Sequence, residues 1–398
     1  MASPHEPLRV LVLASTYPAT VGDGTPSFVR DLAVGVAGDG SLVRVVVPAV
    51  PGGLPRESAE GIEVFRYRFF PRRWEDVAHG ALLENVRRRK SRLLQVPPLL
   101  IAQFFAVRRA VKEFQPHVIH THWIIPQGWV ARCAAPRIPT VVTTLGGDLY
   151  ALKGAPWRAI KRAVVTRAGA VTVMNSDMRD IVIGLGATAD AVSVKPMGAR
   201  VTRFADAAAS RSYAGRDAPV ALLAVGRLVE KKGFGLLIEA LRGLDSRDWK
   251  LTIVGDGPLR HELEQAAHGL PIVFAGQLGQ EALAQADSEA DVAIFPSVRA
   301  ASGDQDGLPV ALLEAMASGC AVIVSNLPGL DEAVEHEVSG LVVPHGDISA
   351  LRSAISALIS DADVRARLGK AASKRAKSYD VDAVAAAYRE LLRSVAGR

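Results

Sequence analysis

Short runs of apolar residues recur along the first half of the chain, at 9–14, 43–47, 118–120, 140–144 and 170–174, and each ends in polar or small residues. Helical patterns follow several of them, as where 9–14 leads through Ser15, Thr16 and Tyr17 to 28–37. Runs that are apolar throughout suit strands covered on both faces, and strands alternating with helices predict a parallel sheet with crossover helices. A second series begins after the Ala-, Ser-, Arg- and Gly-rich stretch at 205–217, with strands expected at 220–225, 250–254, 271–274, 292–295, 321–324 and 340–343. The reading is α/β: two doubly wound, Rossmann-like domains at 1–205 and 206–378, with the linker near 200–216. A final helix at 381–396, within the segment 379–398, has apolar residues at helical spacing and is expected to pack back toward the N-terminal domain. The segment 64–114 is the least regular and is expected to hold a pair of surface helices. Two such domains make a cleft between them the default ligand site, because open α/β sheets bind ligands at the carboxyl ends of their strands.

The length of 398 residues suits two domains. With 49% apolar but only 6% aromatic residues, the cores must be built largely of Ala, Val and Leu, and the composition argues against disorder. The net charge of +6 is mild, but it is clustered. Arg66, Arg68, Arg72 and Arg73 precede the run Arg87, Arg88, Arg89, Lys90 and Arg92, and the apolar positions Leu93, Leu94, Leu100, Ile101, Phe104 and Phe105 follow. This pattern fits peripheral contact with an anionic membrane, and equally a packed helix pair with a solvated basic edge. Nucleic acid is a poor partner, for no aromatic stacking platform is evident. Cys133 and Cys320 form no paired motif and point to a reducing compartment. The first residues lack a basic stretch followed by an apolar core, and no run approaches the roughly 20 apolar residues of a membrane helix. A cytoplasmic protein, at most at the inner face of the membrane, is expected.

The chemistry concentrates in the second half. Gly226, Arg227 and Leu228 follow the strand 220–225, and Lys231, Lys232 and Gly233 precede the next helix. An Arg fork and a compact Lys charge at a strand end suit a diphosphate, although solvated loop charges explain each residue taken alone. Gly255, Asp256 and Gly257 end the strand 250–254, where glycines allow a sharp turn. Asp306, Gly307, Leu308 and Pro309 lead into a helix at 310–318 that Gly319 should cap. Its free N–H groups form a ready anion site. Glu314 stands among apolar neighbours, so its charge needs a partner, and a ribose diol is a fitting one.

Taken in order, the segments 226–233, 254–258, 295–297, 306–319 and 340–343 resemble the donor-binding half of retaining GT-B glycosyltransferases of family 4. The resemblance implies a metal-independent transferase that moves a sugar from a UDP- or GDP-sugar, with two domains facing across a cleft. In it, Arg227 and Lys232 hold the diphosphate and stabilise it as it leaves, and Glu314 binds the ribose. Gly226 and Gly255 line the donor, while Gly307 and Leu308 offer it backbone amides. Asp306 takes the place of the first acid of an E-x7-E pattern and contacts the transferred sugar; being one methylene shorter, it leaves sugar specificity open.

The same resemblance gives the N-terminal half the acceptor. Gly22 and Gly24, in a glycine loop interrupted by Asp23, approach the diphosphate. His120 and His122 match an H-x-H element, with His122 nearer the sugar and His120 more structural. Gly147 and Asp148 match a third loop in which Asp148 binds an acceptor hydroxyl, and Gly146 stands at the family's His position. A retaining front-face reaction, in which the leaving phosphate helps take the acceptor proton, needs charge stabilisation more than a nucleophile. The acceptor is a glycan, a lipid-linked saccharide or a small molecule. No third ligand stands near the histidines at metal spacing, and no cofactor beyond the donor is implied. The alternative is a non-catalytic nucleotide-sugar-binding protein of the same fold; epimerase and phosphorylase readings are weaker.

Overall fold

The computed structural model describes residues 6–20, 25–80, 82–204, 208, 219–246, 248–301 and 303–397. The chain divides into two compact units, one of residues 1–196 with 381–398, the other of residues 197–380. The expected boundary at 205 moves back to Pro196 because Ala199, Val201 and Phe204 are buried in the core of the second unit. Most of the expected linker, 205–207 and 209–216, lies outside the described residues.

In the first unit the strands are β1 (Arg9–Leu13), β2 (Leu42–Pro48), β3 (Arg56–Ala59), β4 (Ile62–Tyr67), β5 (Val118–His122), β6 (Thr140–Thr143), β7 (Ala170–Val173) and β8 (Val192–Val194). They form one sheet in the order β3-β4-β2-β1-β5-β6-β7-β8. All neighbours are parallel except β3, which pairs antiparallel with β4 at the edge. Residues of β1, β5, β6 and β7 are buried almost without exception, as strands covered on both faces require. The helix Val381–Val395 completes this unit by burying Val381, Ala385, Tyr388 and Leu392, a stripe at helical spacing. It lies so close to the helix Phe28–Ala37 that a Cβ on Gly35 would come within 2.5 Å of the Ala385 methyl.

The second unit carries β9 (Val220–Val225), β10 (Trp249–Val254), β11 (Ile272–Gly276), β12 (Val292–Phe295), β13 (Ala321–Ser325) and β14 (Leu341–Val343). They are all parallel and run in the order β11-β10-β9-β12-β13-β14. The winding reverses between β9 and β12, so the loops after these two strands open the crevice where such sheets take ligands. In the first unit the corresponding reversal lies between β1 and β5. No helix among the described residues is long and apolar enough to cross a membrane.

Candidate active site

Three loops meet at the carboxyl end of the second sheet, and glycines let them touch backbone to backbone. A Cβ on Gly233 would stand 1.9 Å from the Pro296 carbonyl oxygen, one on Gly255 2.0 Å from that of Gly226, and one on Gly257 2.4 Å from that of Leu228. Gly233 and Gly255 also hold φ of +66° and +135°, a region that side chains disfavour. The loop after β9 is thereby fixed against the loops after β10 and β12.

This packing brings cations onto carboxylates. The Lys232 ammonium donates to Asp306 Oδ2 at 2.8 Å, and the Ser297 hydroxyl donates to the same oxygen at 2.8 Å. Lys231 Nζ lies 3.2 Å from Asp304 Oδ2 and 3.7 Å from Asp306 Oδ1. The Asp306 side chain is only 8% exposed. Burial works against its charge, yet Lys232, Lys231 and Ser297 hold the carboxyl below the ordinary carboxylate range. For Lys231, burial is likewise outweighed by Asp306 and Asp304, which push its pKa up. Sequence reasoning assigned roles to Lys232 and Asp306 and none to Lys231, which stands next to Lys232, to Ser297, which ends the segment 295–297, or to Asp304, two residues before Asp306. Gly226 lies under the Lys232 stem, with a Cβ position 3.1 Å from Cε. Arg227 follows it at the end of β9, half-buried.

Just beyond Asp306 begins the helix Val310–Ala317, with Pro309 at the N-cap, one position ahead of the first-turn place expected for it. No side chain among the described residues caps this end. Among the described residues, the Gly307 and Leu308 N–H groups enter no backbone hydrogen bond. Gly319, at φ +79°, closes the other end: its N–H donates to Met316 O and that of Cys320 to Ala315 O, a double C-terminal closure. The helix is buried at Leu312, Leu313, Ala315, Met316 and Ala317, and Glu314 sits half-buried in its middle. A compact ammonium with three donors, of which Asp306 engages one, thus stands beside an uncapped helix N-terminus, a combination suited to phosphate oxygens.

In the first unit, Gly22 and Gly24 lie outside the described residues. His120 and His122 point to one face of β5, their ring centroids 4.4 Å apart. His120 Nε2 meets the Thr143 hydroxyl at 2.8 Å, Thr143 meets Thr172 at 2.6 Å, and the Tyr388 hydroxyl donates to Thr172 at 3.0 Å. His122 is equally buried, and its Nδ1 has no partner among the described residues. Burial pushes His120 down to about 3 and, with His120 alongside, holds His122 well below the ordinary imidazole value. Both therefore stay neutral near pH 7. Trp123 follows at φ +80°, a strained conformation for a bulky residue and one often met at functional sites.

Asp148 takes a different place from the one expected. It is 3% exposed, accepts from the Thr144 hydroxyl at 2.7 Å and from the Ile124 N–H at 2.5 Å, and so has both oxygens engaged by the fold. Burial raises its pKa in spite of these bonds. It ties the turn after β5 to the loop after β6, and the neighbouring Gly147 is half-buried. Lys161, missed in the sequence, donates to Leu149 O and Ala151 O and holds the far end of the short helix Gly147–Tyr150 that carries Asp148. Counted back from Asp148, the His of a His-Gly-x-Asp pattern falls on Leu145, and Gly146 is its glycine, at φ +101°.

The basic clusters separate into tied and free members. Arg66 is buried against Glu57, Arg68 pairs with Glu75, and Arg92 donates to Asp76 at 2.6 Å. Arg88, Arg89 and Lys90 are exposed, and the Arg87 side chain lies outside the described set.

Residues 219–361 match the family described as glycosyl transferases group 1, and residues 23–198 match the glycosyl transferase 4-like domain. The amylovoran biosynthesis glycosyltransferase AmsK of Erwinia amylovora is 38% identical over 192 residues, which are 46% of this chain and 46% of that protein. A GDP-mannose-dependent alpha-(1-6)-phosphatidylinositol monomannoside mannosyltransferase of Mycobacterium tuberculosis is 29% identical over 322 residues, 75% of this chain and 80% of that one. The chain spans about half the length of the first curated relatives it matches, at 46%, 43% and 53%. Sucrose-phosphate synthase from Thermosynechococcus elongatus shares the fold, with a TM-score of 0.79 at 23% identity over 98% of this chain and 99% of that one. Both units carry parallel α/β sheets, and each is matched by its own half of one transferase architecture: the chain belongs to the group 1 glycosyltransferases of GT-B fold.

Proposed function

We propose that this chain is a retaining glycosyltransferase that moves a sugar from a UDP- or GDP-sugar to a glycan, lipid-linked or small-molecule acceptor in the cytoplasm. The observation that carries the reading is the Lys232–Asp306 pair at the reversal of the second sheet, set against the uncapped helix Val310–Ala317. Arg227, Lys232 and the N–H groups of Gly307 and Leu308 receive the donor diphosphate, and Glu314 takes the ribose. Gly226 and Gly255 allow the donor close to the backbone. Asp306 holds the ammonium in place through one of its three donors and meets the transferred sugar with its rim. As the sugar–phosphate bond breaks, the charge gathering on the leaving diphosphate meets fixed cations and dipoles, so the step runs without a divalent ion. The leaving phosphate helps to take the acceptor proton, and attack from its own face retains the anomeric configuration. The names of the relatives fit this class, one an amylovoran biosynthesis glycosyltransferase and the other a GDP-mannose-dependent mannosyltransferase.

The test is turnover against a panel of UDP- and GDP-sugars, with binding followed by thermal shift. A nucleotide at a thousand times its Kd should add about 4 kcal/mol of stability. Arg227→Ala and Lys232→Ala should each cut turnover by roughly 10²–10³-fold, and a chelator should leave it unchanged. Full turnover in both variants refutes the reading. Donor binding with neither transfer nor donor hydrolysis on any acceptor would favour a non-catalytic binding protein instead.

A further inference from the structure

The helix Val96–Phe114 presents one face that nothing in the described structure covers. Along it, Ile101 and Phe105 are 58% and 64% exposed, and Leu94, in the turn leading into the helix, is 74% exposed. Ile101 and Phe105 fall three to four residues apart in register with Arg108 and Lys112, which are also exposed, and Leu94 lies seven residues ahead of Ile101. Beside this ridge, between the helix and its neighbour Trp129–Ala134, runs an apolar groove of about 270 Å³. Leu100, Ile101, Phe104, Phe105, Trp129 and Cys133 line it. Cations stand over its aromatic walls: the Arg108 guanidinium lies 5.8 Å from the Phe104 ring and that of Arg132 5.8 Å from the Trp129 ring. At the other end of the ridge are the exposed Arg88, Arg89 and Lys90. An apolar ridge with a groove, bounded at both ends by cations, matches an anionic lipid surface in shape and in sign.

We propose that this face docks on an anionic bilayer, with Leu94, Ile101 and Phe105 inserted and the groove receiving a segment of lipid aliphatic chain. The proposal shifts the contact away from the arginine run as a whole, since Arg92 is held by Asp76, and onto the helix. It concerns the first unit only and does not rest on the donor-site reading, because lipid binding needs no sugar donor.

Co-flotation of the full chain with vesicles tests it, using phosphatidylcholine containing phosphatidylglycerol against phosphatidylcholine alone. The chain should float with the first and stay behind with the second, and added salt should release it. Replacing Arg108 and Lys112 by Gln should weaken binding about five-fold per cation removed. Phe105→Glu, with an unchanged circular dichroism spectrum, should abolish flotation. Cys133 is exposed and Cys320 buried, so an environment-sensitive thiol fluorophore labels the groove; its emission should shift to the blue on adding the anionic vesicles, and not in Phe105→Glu. Absence of flotation, equal flotation on neutral vesicles, or undiminished flotation of folded Phe105→Glu overturns the proposal. So does a concentration-dependent dimer lost in Phe105→Glu, or retention on nucleic acid in place of vesicles.

Discussion

An imidazole buried as fully as those of His120 and His122, with no carboxylate among the described residues acting on it, cannot take a proton without the charged ring going unhydrated. In the unfolded chain the same groups protonate near 6.5. The folded values are depressed, so below about pH 6.5 the unfolded state binds the extra protons. The stability that the neutral pair supplies is complete above that pH and is lost as pH falls toward the folded value, about 3 for His120. Each histidine should contribute a slope of about 1.4 kcal/mol per pH unit there. Going from pH 7 to 5.5 should therefore cost about 2 kcal/mol in urea denaturation from the two together. Asp148 titrates with the opposite sign, since its raised value favours the fold where the carboxyl is protonated, so the measurement must be a difference. His122→Asn should flatten the pH dependence of stability between 7 and 5.5 by about half. An unchanged slope in that variant would mean the ring already takes a proton inside the fold.

At the scale of loops and strands, the site owes its geometry to glycines that were legible as turn residues but not as contact points. Gly233→Ala puts a methyl 1.9 Å from a carbonyl oxygen at φ +66°, so the loop after β9 must leave the loop after β12. A loss of about 2 kcal/mol or more is expected on strain alone, together with loss of nucleotide binding, because Lys232 parts from Asp306. Gly235→Ala, in the following helix, meets nothing within 4 Å and serves as the control, with stability unchanged or slightly raised. Equal nucleotide affinity in the two variants would show that the close approach is dispensable. The central strands could be read from the sequence because their apolar runs leave no alternative to burial on both faces. Lys232, Asp306 and the helix after them could be read because strand ends and helix starts are local. The hairpin of β3 and β4 could not. β3 is the polar run Arg-Glu-Ser-Ala at a sheet edge, and its turn rests on positive φ at Glu60 and Gly61 without the Asn-Gly or Asp-Gly signal. Nor could the inward turn of Asp148, the pairing of Lys231 with Asp304 or the tying of Arg92 to Asp76, since each depends on a partner that spacing alone does not supply.

At the scale of the molecule, the chain leaves its first unit at Pro196 and returns to it at Val381, so the first unit is complete only when the last residues have been added. The returning helix supplies Tyr388, fully buried, whose hydroxyl lies 3.0 Å from Thr172 Oγ1 and 3.1 Å from Lys195 O, with one proton of its own to share between them. Through Thr172 and Thr143 it reaches His120, and its ring lies 5.3 Å from that imidazole. Tyr388→Phe keeps the ring and removes two hydrogen bonds, for an expected loss of about 1–2 kcal/mol. Tyr388→Ala also opens a cavity under β5, β6 and β7, and about 3–5 kcal/mol should go. The location of the damage is the informative part. Although residue 388 directly follows the second unit in sequence, hydrogen exchange in Tyr388→Ala should quicken in β5–β7 and in the helix Phe28–Ala37, while β9–β13 keep the protection of the parent chain. If exchange quickened equally in β9–β13, the two units would unfold as one cooperative block and the final helix would stabilise both. If it quickened in the first unit alone, a truncation just before Val381, which spares the second unit, would remove the histidine pair's support while leaving the Lys232–Asp306 pair formed.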